Sequence, residues 1–214
     1  MADNRNLVVL GGGGHANSVA EAAESAGFTV LKLIDASSEE NSFEALASKI
    51  QTVNLQSTSL ALGIGTNFAR QCLYQAVSRK FANAKFPPIL HHTAWISPTA
   101  LVAGGVVALA NATAGPNTSL GLGSIINTGA SLDHDSQFGN FASLGPGART
   151  GGNVTIGSRT MIGLQAGILQ GRTVGEDSVV GAQSLVLEDI PSLSVAVGSP
   201  SRVIRSRERD ERYY

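Results

Sequence analysis

Residues 119–145 read SLGLGSIINTGASLDHDSQFGNFASLG, and their spacing decides the fold. Leu120, Ile126, Leu132, Phe138 and Leu144 stand six apart. The register runs back through Ala114, Ala108 and Val102 to Ile96. It runs forward through Thr150, Ile156, Ile162, Ile168, Val174 and Val180 to Val186, and only Thr150 is polar. Glycine follows at nine of these positions, from Gly115 to Gly181. Four residues after it comes a small or β-branched one, such as Ala112, Thr118, Ser124, Ala130 or Ser136, and Arg172 breaks that rule. A period of six fits neither the 3.6 of an α-helix nor the simple alternation of a strand. It fits short strands joined by tight corners, each strand sending one apolar residue inward. Stacked turns then bury a continuous core.

Upstream the pattern is different. Leu7–Leu10 reads as a buried strand, 15–26 as an alanine-rich helix closed by Gly27, and Phe28–Ile34 as a second strand ending at Asp35. A short helix over 42–50, a strand over 60–64, and a helix over 68–81 capped by Asn67 complete a βαβαβα unit. Domains of 1–88 and 89–206 follow, with a charged C-terminal tail over 207–214. The turn after the first strand fits G-x-G-x-x-A through Gly11, Gly13 and Ala16, and Asp35 stands where a ribose-binding acid would. A full dinucleotide fold needs a second βαβαβ half, and the six-residue register occupies that length of chain. No NAD site is therefore expected. Two readings remain for the turn: a half-site for one nucleotide or nucleotide-linked sugar, or a purely structural tight turn. In the first, Gly13 and Gly14 approach the phosphates at a helix N-terminus. His15 meets a phosphate or sugar oxygen, or else faces solvent. Asp35 and Gly65, at strand carboxyl ends, face the same crevice.

Composition excludes several classes. A net charge of −1 over 214 residues gives nucleic acid or an anionic membrane little to hold. One cysteine, Cys72, rules out an intrachain disulfide and a Cys-rich metal site, so no metal is expected. No apolar run approaches the roughly 20 residues of a spanning helix, and the first residues do not form a signal peptide. A cytoplasmic protein without membrane insertion is expected.

The register resembles that of the hexapeptide-repeat acyltransferases, which form a left-handed parallel β-helix. The segments from Val186 to Pro191 and from Val197 to Arg205 are similar to the family's closing "V-x-x-D-x-P … G-x-P-A-x-x-I". The glycine turn ending in His15, together with Ile64-Gly-Thr-Asn67, His91-His-Thr-Ala94 and the run Asn127–Asp135, resembles one subfamily. It comprises the PglD-type N-acetyltransferases of nucleotide-linked 4-amino sugars and the NeuD-type sialic acid O-acetyltransferases. The resemblance implies a homotrimer with acetyl-CoA as acyl donor, lying in the groove between neighbouring β-helices. It aligns His134 with the general base. A neutral imidazole is well matched to accept a proton from an attacking amine or hydroxyl near pH 7. Asp135 matches the acid that orients it, although Asp133 flanks the other side. Ser143 stands where the subfamily often carries a second histidine near the thioester. Backbone groups of Gly152, Leu164 and Ala182 are implied to line the pantetheine groove.

The expected activity is N-acetylation of a UDP- or dTDP-linked 4-amino-4,6-dideoxy sugar by direct transfer. O-acetylation of sialic acid or another sugar is the alternative within enzymes. A catalytically decayed β-helix binding protein is the alternative outside them, prompted by Ser143 and Arg172. The arginines between Arg202 and Arg212 alternate with acids, which reads as a solvated tail or as a contact of Arg202 or Arg205 with the CoA phosphates.

Overall fold

The structure, a computed structural model, describes residues 5–34, 43 and 48–213. Asp35 lies outside the described residues, as does most of the short helix expected over 42–50. The first sheet is parallel, with strands β1 (Asn6–Leu10), β2 (Thr29–Ile34) and β3 (Thr58–Leu62) in the order β2-β1-β3. Helix α1 (Gly14–Ser25) joins β1 to β2, and α2 (Asn67–Lys80) follows β3. Residues of β1 are apolar on both faces because both are covered. Leu7 and Val9 pack with Ala16, Val19 and Ala23 of α1, whereas Val8 and Leu10 pack with Leu73 and Val77 of α2.

Sterics explain part of the glycine turn. Gly11 has φ of +144°, and a Cβ there would lie 2.6 Å from the Gly63 carbonyl oxygen. A Cβ on Gly63 would lie 2.8 Å from that of Ala16, so α1 meets the sheet through small residues. Asn67 departs from its expected capping role. Thr66 takes the N-cap position without a side-chain bond, and Asn67 is the first helical residue with its amide turned into the protein.

From Ile89 to Val186 the strands are two residues long, and each pairs in parallel with the strand one turn away; the last strand, Arg202–Ser206, pairs antiparallel with Ser194–Val197. Val107 pairs with Ile125 and Ile125 with Ser143, a turn of 18 residues. The parallel solenoid has three walls, formed by every third strand. The first carries Ile125 and Ser143, the second Ser131 and Arg149, the third Gln137 and Thr155. The six-residue apolar register fills the interior, buried from Ala108 to Val186 and partly buried at Ile96 and Val102. Thr150, its polar member, is explained locally: its Oγ1 accepts the Asp133 N–H at 3.0 Å. At each corner from 105 to 183 one residue in six adopts positive φ, including Asn117 (57°), Asp135 (57°) and Asn153 (55°). Asn and Asp tolerate this conformation better than most residues.

Outward residues of the first wall decide how the domains meet. Ile89, Val107 and Ile125 are buried against α1. Phe141 and Leu122 pack beside α2, with the Tyr74 and Phe141 rings 5.7 Å apart. Each aliphatic side chain removed from water contributes about 1.5–3 kcal/mol, so this seam holds the α/β unit firmly on the solenoid.

Candidate active site

His134 sits on the corner between the second and third walls, and its neighbours define it closely. Asp135 Oδ2 lies 2.8 Å from His134 Nδ1, and Asn117 Nδ2, one turn earlier, donates to Asp135 Oδ1 at 3.0 Å. Asp133 instead accepts the backbone N–H of His134 at 2.7 Å. Asp135, not Asp133, is therefore the carboxylate on the ring. The bond to Asp135 raises the His134 pKa above its usual value. The same bond, then that from Asn117, lowers Asp135. With Nδ1–H donated to the carboxylate, the tautomer follows from the bond, and Nε2 is left with its lone pair. The side chain is 51% exposed, so this nitrogen is open to a reacting group. Gly152 lies under the ring, and a Cβ there would collide with the imidazole. Chemically, the corner can take up a proton at Nε2, and the Asp135 bond strengthens its hold on it.

A second group of residues meets at the seam between the domains. His15, Gly65, Asn127, Ser143 and Tyr213 line a cavity of about 270 Å³. Beneath it Arg70 is fully buried, without a carboxylate partner among the described residues. Its guanidinium donates to the carbonyls of Gly123 (2.8 Å), Ile64 (3.0 Å), Gly65 (2.8 Å) and Phe141 (2.9 Å). It also donates to Asn67 Oδ1 at 2.8 Å and Ser143 Oγ at 3.2 Å. Ser143 Oγ donates to Asn67 Oδ1 at 2.6 Å, and Asn67 Nδ2 donates to the carbonyls of Arg159 and Thr160. Burial lowers the pKa of Arg70 to about 10. Burial and then the Arg70 charge lower that of His15 to about 4, so its imidazole is neutral at pH 7. His15 Nε2 is buried with no hydrogen-bond partner among the described residues.

The expected residues thus divide into groups. His134, Asp135 and Gly152 share one corner. Ser143 is at the cavity with His15 and Gly65. Leu164 and Ala182, both exposed, lie 18 residues apart on the corner between the first and second walls. The second wall separates them from Gly152. Gly13 and Gly14 are exposed, and a Cβ on either would meet open space, so packing does not require glycine there. Arg205 pairs with Glu211 at 2.6 Å. Arg70, Asn117 and Tyr213 were not singled out from the sequence. Stepping back one 18-residue turn from Asp135 would have found Asn117. A lone arginine on a helix gives no comparable signal.

A model of the PglD N-terminal domain matches residues 6–77. The acetyltransferase domain of PglB from Neisseria gonorrhoeae, solved with acetyl coenzyme A, is 30% identical. The match covers 94% of this chain and 100% of that one, with a TM-score of 0.85. The chain belongs to the β-helix acetyltransferases that carry a PglD N-terminal domain. Another solved structure similar to this PglD-type acetyltransferase is PerB from Caulobacter crescentus, in complex with CoA and GDP-perosamine. It is 31% identical over 92% of this chain and 96% of that one, with a TM-score of 0.82. A Staphylococcus aureus (strain COL) protein classed with the acetyltransferases is 44% identical over 71 residues. That stretch is 33% of this chain and 36% of the relative, so the chain spans about a third of such curated relatives. Among the described residues of this PglD-type chain, no helix is long and apolar enough to cross a membrane. None of their His, Cys, Asp and Glu side chains group as a metal site.

Proposed function

We propose that this protein transfers the acetyl group of acetyl-CoA to the amino group of a nucleotide-linked 4-amino-4,6-dideoxy sugar, with His134 as general base. The observation that carries the reading is the Asn117–Asp135–His134 chain of hydrogen bonds, which leaves Nε2 open and basic. The amine nitrogen attacks the thioester carbonyl carbon while Nε2 takes its proton. The carbon–sulfur bond breaks, its electron pair leaves with sulfur, and the proton then passes to the CoA thiolate. Acetyl-CoA supplies the activated acyl group. Exposed Leu164 and Ala182 offer an apolar edge for its pantetheine arm. Gly13 and Gly14, open where packing does not require glycine, admit the substrate's phosphates at the start of α1.

The two groups of residues occupy different corners of one chain. In this reading a neighbouring copy brings them together, in a cytoplasmic homotrimer. The solved PglB domain with acetyl coenzyme A and PerB with CoA and GDP-perosamine support the donor and the class of acceptor. The test is release of free CoA thiol with UDP-, dTDP- and GDP-linked 4-amino sugars, and with sialic acid as a hydroxyl acceptor. Turnover should require an amino-sugar nucleotide and fall about 10²–10⁴-fold in His134→Ala. Absence of thiol release with every acceptor, or full activity of His134→Ala, refutes it. Sedimentation of a stable monomer refutes the shared site.

A further inference from the structure

Alternating charges after residue 206 read as a solvated tail, yet the chain there is folded back and clamped. Arg207 is 6% exposed. Its N–H donates to the Leu193 carbonyl at 2.9 Å, and its guanidinium donates to the carbonyls of Asp177 and Glu211. Asp177, 1% exposed, accepts two bonds from Arg159 at 2.7 and 2.6 Å and one from Arg209 Nε at 3.2 Å. This clamp delivers Tyr213 to the start of α2. There its hydroxyl accepts the Asn67 N–H at 3.2 Å, an amide with no carbonyl partner inside the helix. The Arg207 guanidinium lies 5.5 Å from the ring centroid. The ring is thus held at the hydroxyl and by a cation, and it forms part of the cavity lined by His15, Gly65, Asn127 and Ser143.

We infer that Tyr213 is a specificity-determining residue, the wall on which the sugar ring of the substrate stacks while His15 Nε2 bonds a sugar hydroxyl. This rests on the nucleotide-sugar reading given above. A pyranose presents C–H groups on its faces and hydroxyls around its rim. An aromatic surface beside an unpartnered imidazole nitrogen matches both. A cavity of about 270 Å³ is at the small end for ligand sites. It holds one ring of the substrate, and the remainder lies along the open glycine turn. A neutral His15 suits a hydroxyl better than a phosphate.

The test measures nucleotide-sugar dissociation constants by calorimetry, and KM for both substrates, in wild type, Tyr213→Ala, Tyr213→Phe and Arg207→Ala. Losing a stacked aromatic surface should raise the nucleotide-sugar Kd and KM about tenfold in Tyr213→Ala. KM for acetyl-CoA should stay within about twofold. Tyr213→Phe, which keeps the ring, should restore most of the affinity, and Arg207→Ala, which frees the ring, should fall between. If wild type binds and Tyr213→Ala binds equally well, the role of Tyr213 is refuted and the function stands. If Tyr213→Ala weakens both substrates alike and lowers the melting temperature, the ring is a structural prop and the inference fails. If wild type binds no nucleotide sugar, the function and the inference fail together.

Discussion

Substituting Gly152 by alanine adds one methyl group beneath the His134 ring. Its Cβ would stand 2.9 Å from Nδ1 and nearer still to Cε1 and Nε2. Ordinary carbon contacts need about 3.5 Å, so the imidazole must retreat by about 1 Å. That motion pulls Nδ1 away from Asp135, now at 2.8 Å, and, in the reading with His134 as general base, carries Nε2 off its line to the amine. A misplacement of this size costs about 10²-fold, within the 10²–10⁴ that a general base supplies. The backbone does not share the cost, because φ at Gly152 lies outside the left-handed region and alanine can adopt it. Steady-state thiol release should therefore show kcat down about 10²-fold, with a melting temperature close to wild type. Activity within threefold of wild type would mean that the ring does not need its place over Gly152. A large drop in melting temperature would mean that the corner itself, not the imidazole, requires glycine.

In the reading with His134 as base, activity disappears as pH falls through its raised pKa. Asp135→Asn removes the main cause of that elevation, so the acid limb of kcat/KM should move to lower pH while turnover falls about tenfold or more; a limb that stays in place excludes Asp135 as the cause. His15 is neutral in the fold down to about pH 4, whereas the unfolded chain takes up its proton near 6.5. Stability should thus decline by about 3 kcal/mol as pH falls through that window, and denaturant titrations of His15→Gln should show a shallower slope there. Arg70→Met strips donors from four carbonyls, those of Gly123 and Phe141 in buried bonds and those of Ile64 and Gly65 in part-buried ones. At about 1–3 kcal/mol each, partly offset by no longer burying a charge, the net loss should be about 4 kcal/mol by urea unfolding. A loss below about 1 kcal/mol would show that water satisfies those carbonyls.

How legible each feature was depends on whether it recurs along the chain. The interior of the solenoid could be read because every turn sends the same kind of residue inward, and Thr150 stood out as the exception. His134 could be placed on a corner for the same reason, but a resemblance, not the period, assigned its role. The seam gave no such pattern. Asn67 looked like a cap because Asn caps helices, and nothing local showed that its amide would meet Ser143 and Arg159, far away in sequence. Arg207 looked solvated because acids stand near it in sequence. Its partners are instead carbonyls, including that of Asp177, which only the fold brings near. Long-range polar contacts of this kind leave no spacing to read.

The corner geometry has a consequence for how such a site changes. Asn117, Asp135 and Asn153 share one backbone conformation and stand at the same corner on successive turns. The solenoid works there as a ladder with interchangeable rungs, in which side chains are addressed by height and corner and the backbone is indifferent to which it carries. A reactive group can be moved by one rung through substitutions alone, with no loop rebuilt. The α/β unit is parked at one height by the apolar landing that Ile89, Val107 and Ile125 offer α1 and by Phe141 and Leu122 beside α2. In the reading with His134 as base, the address of the chemistry is set relative to where the other domain is parked.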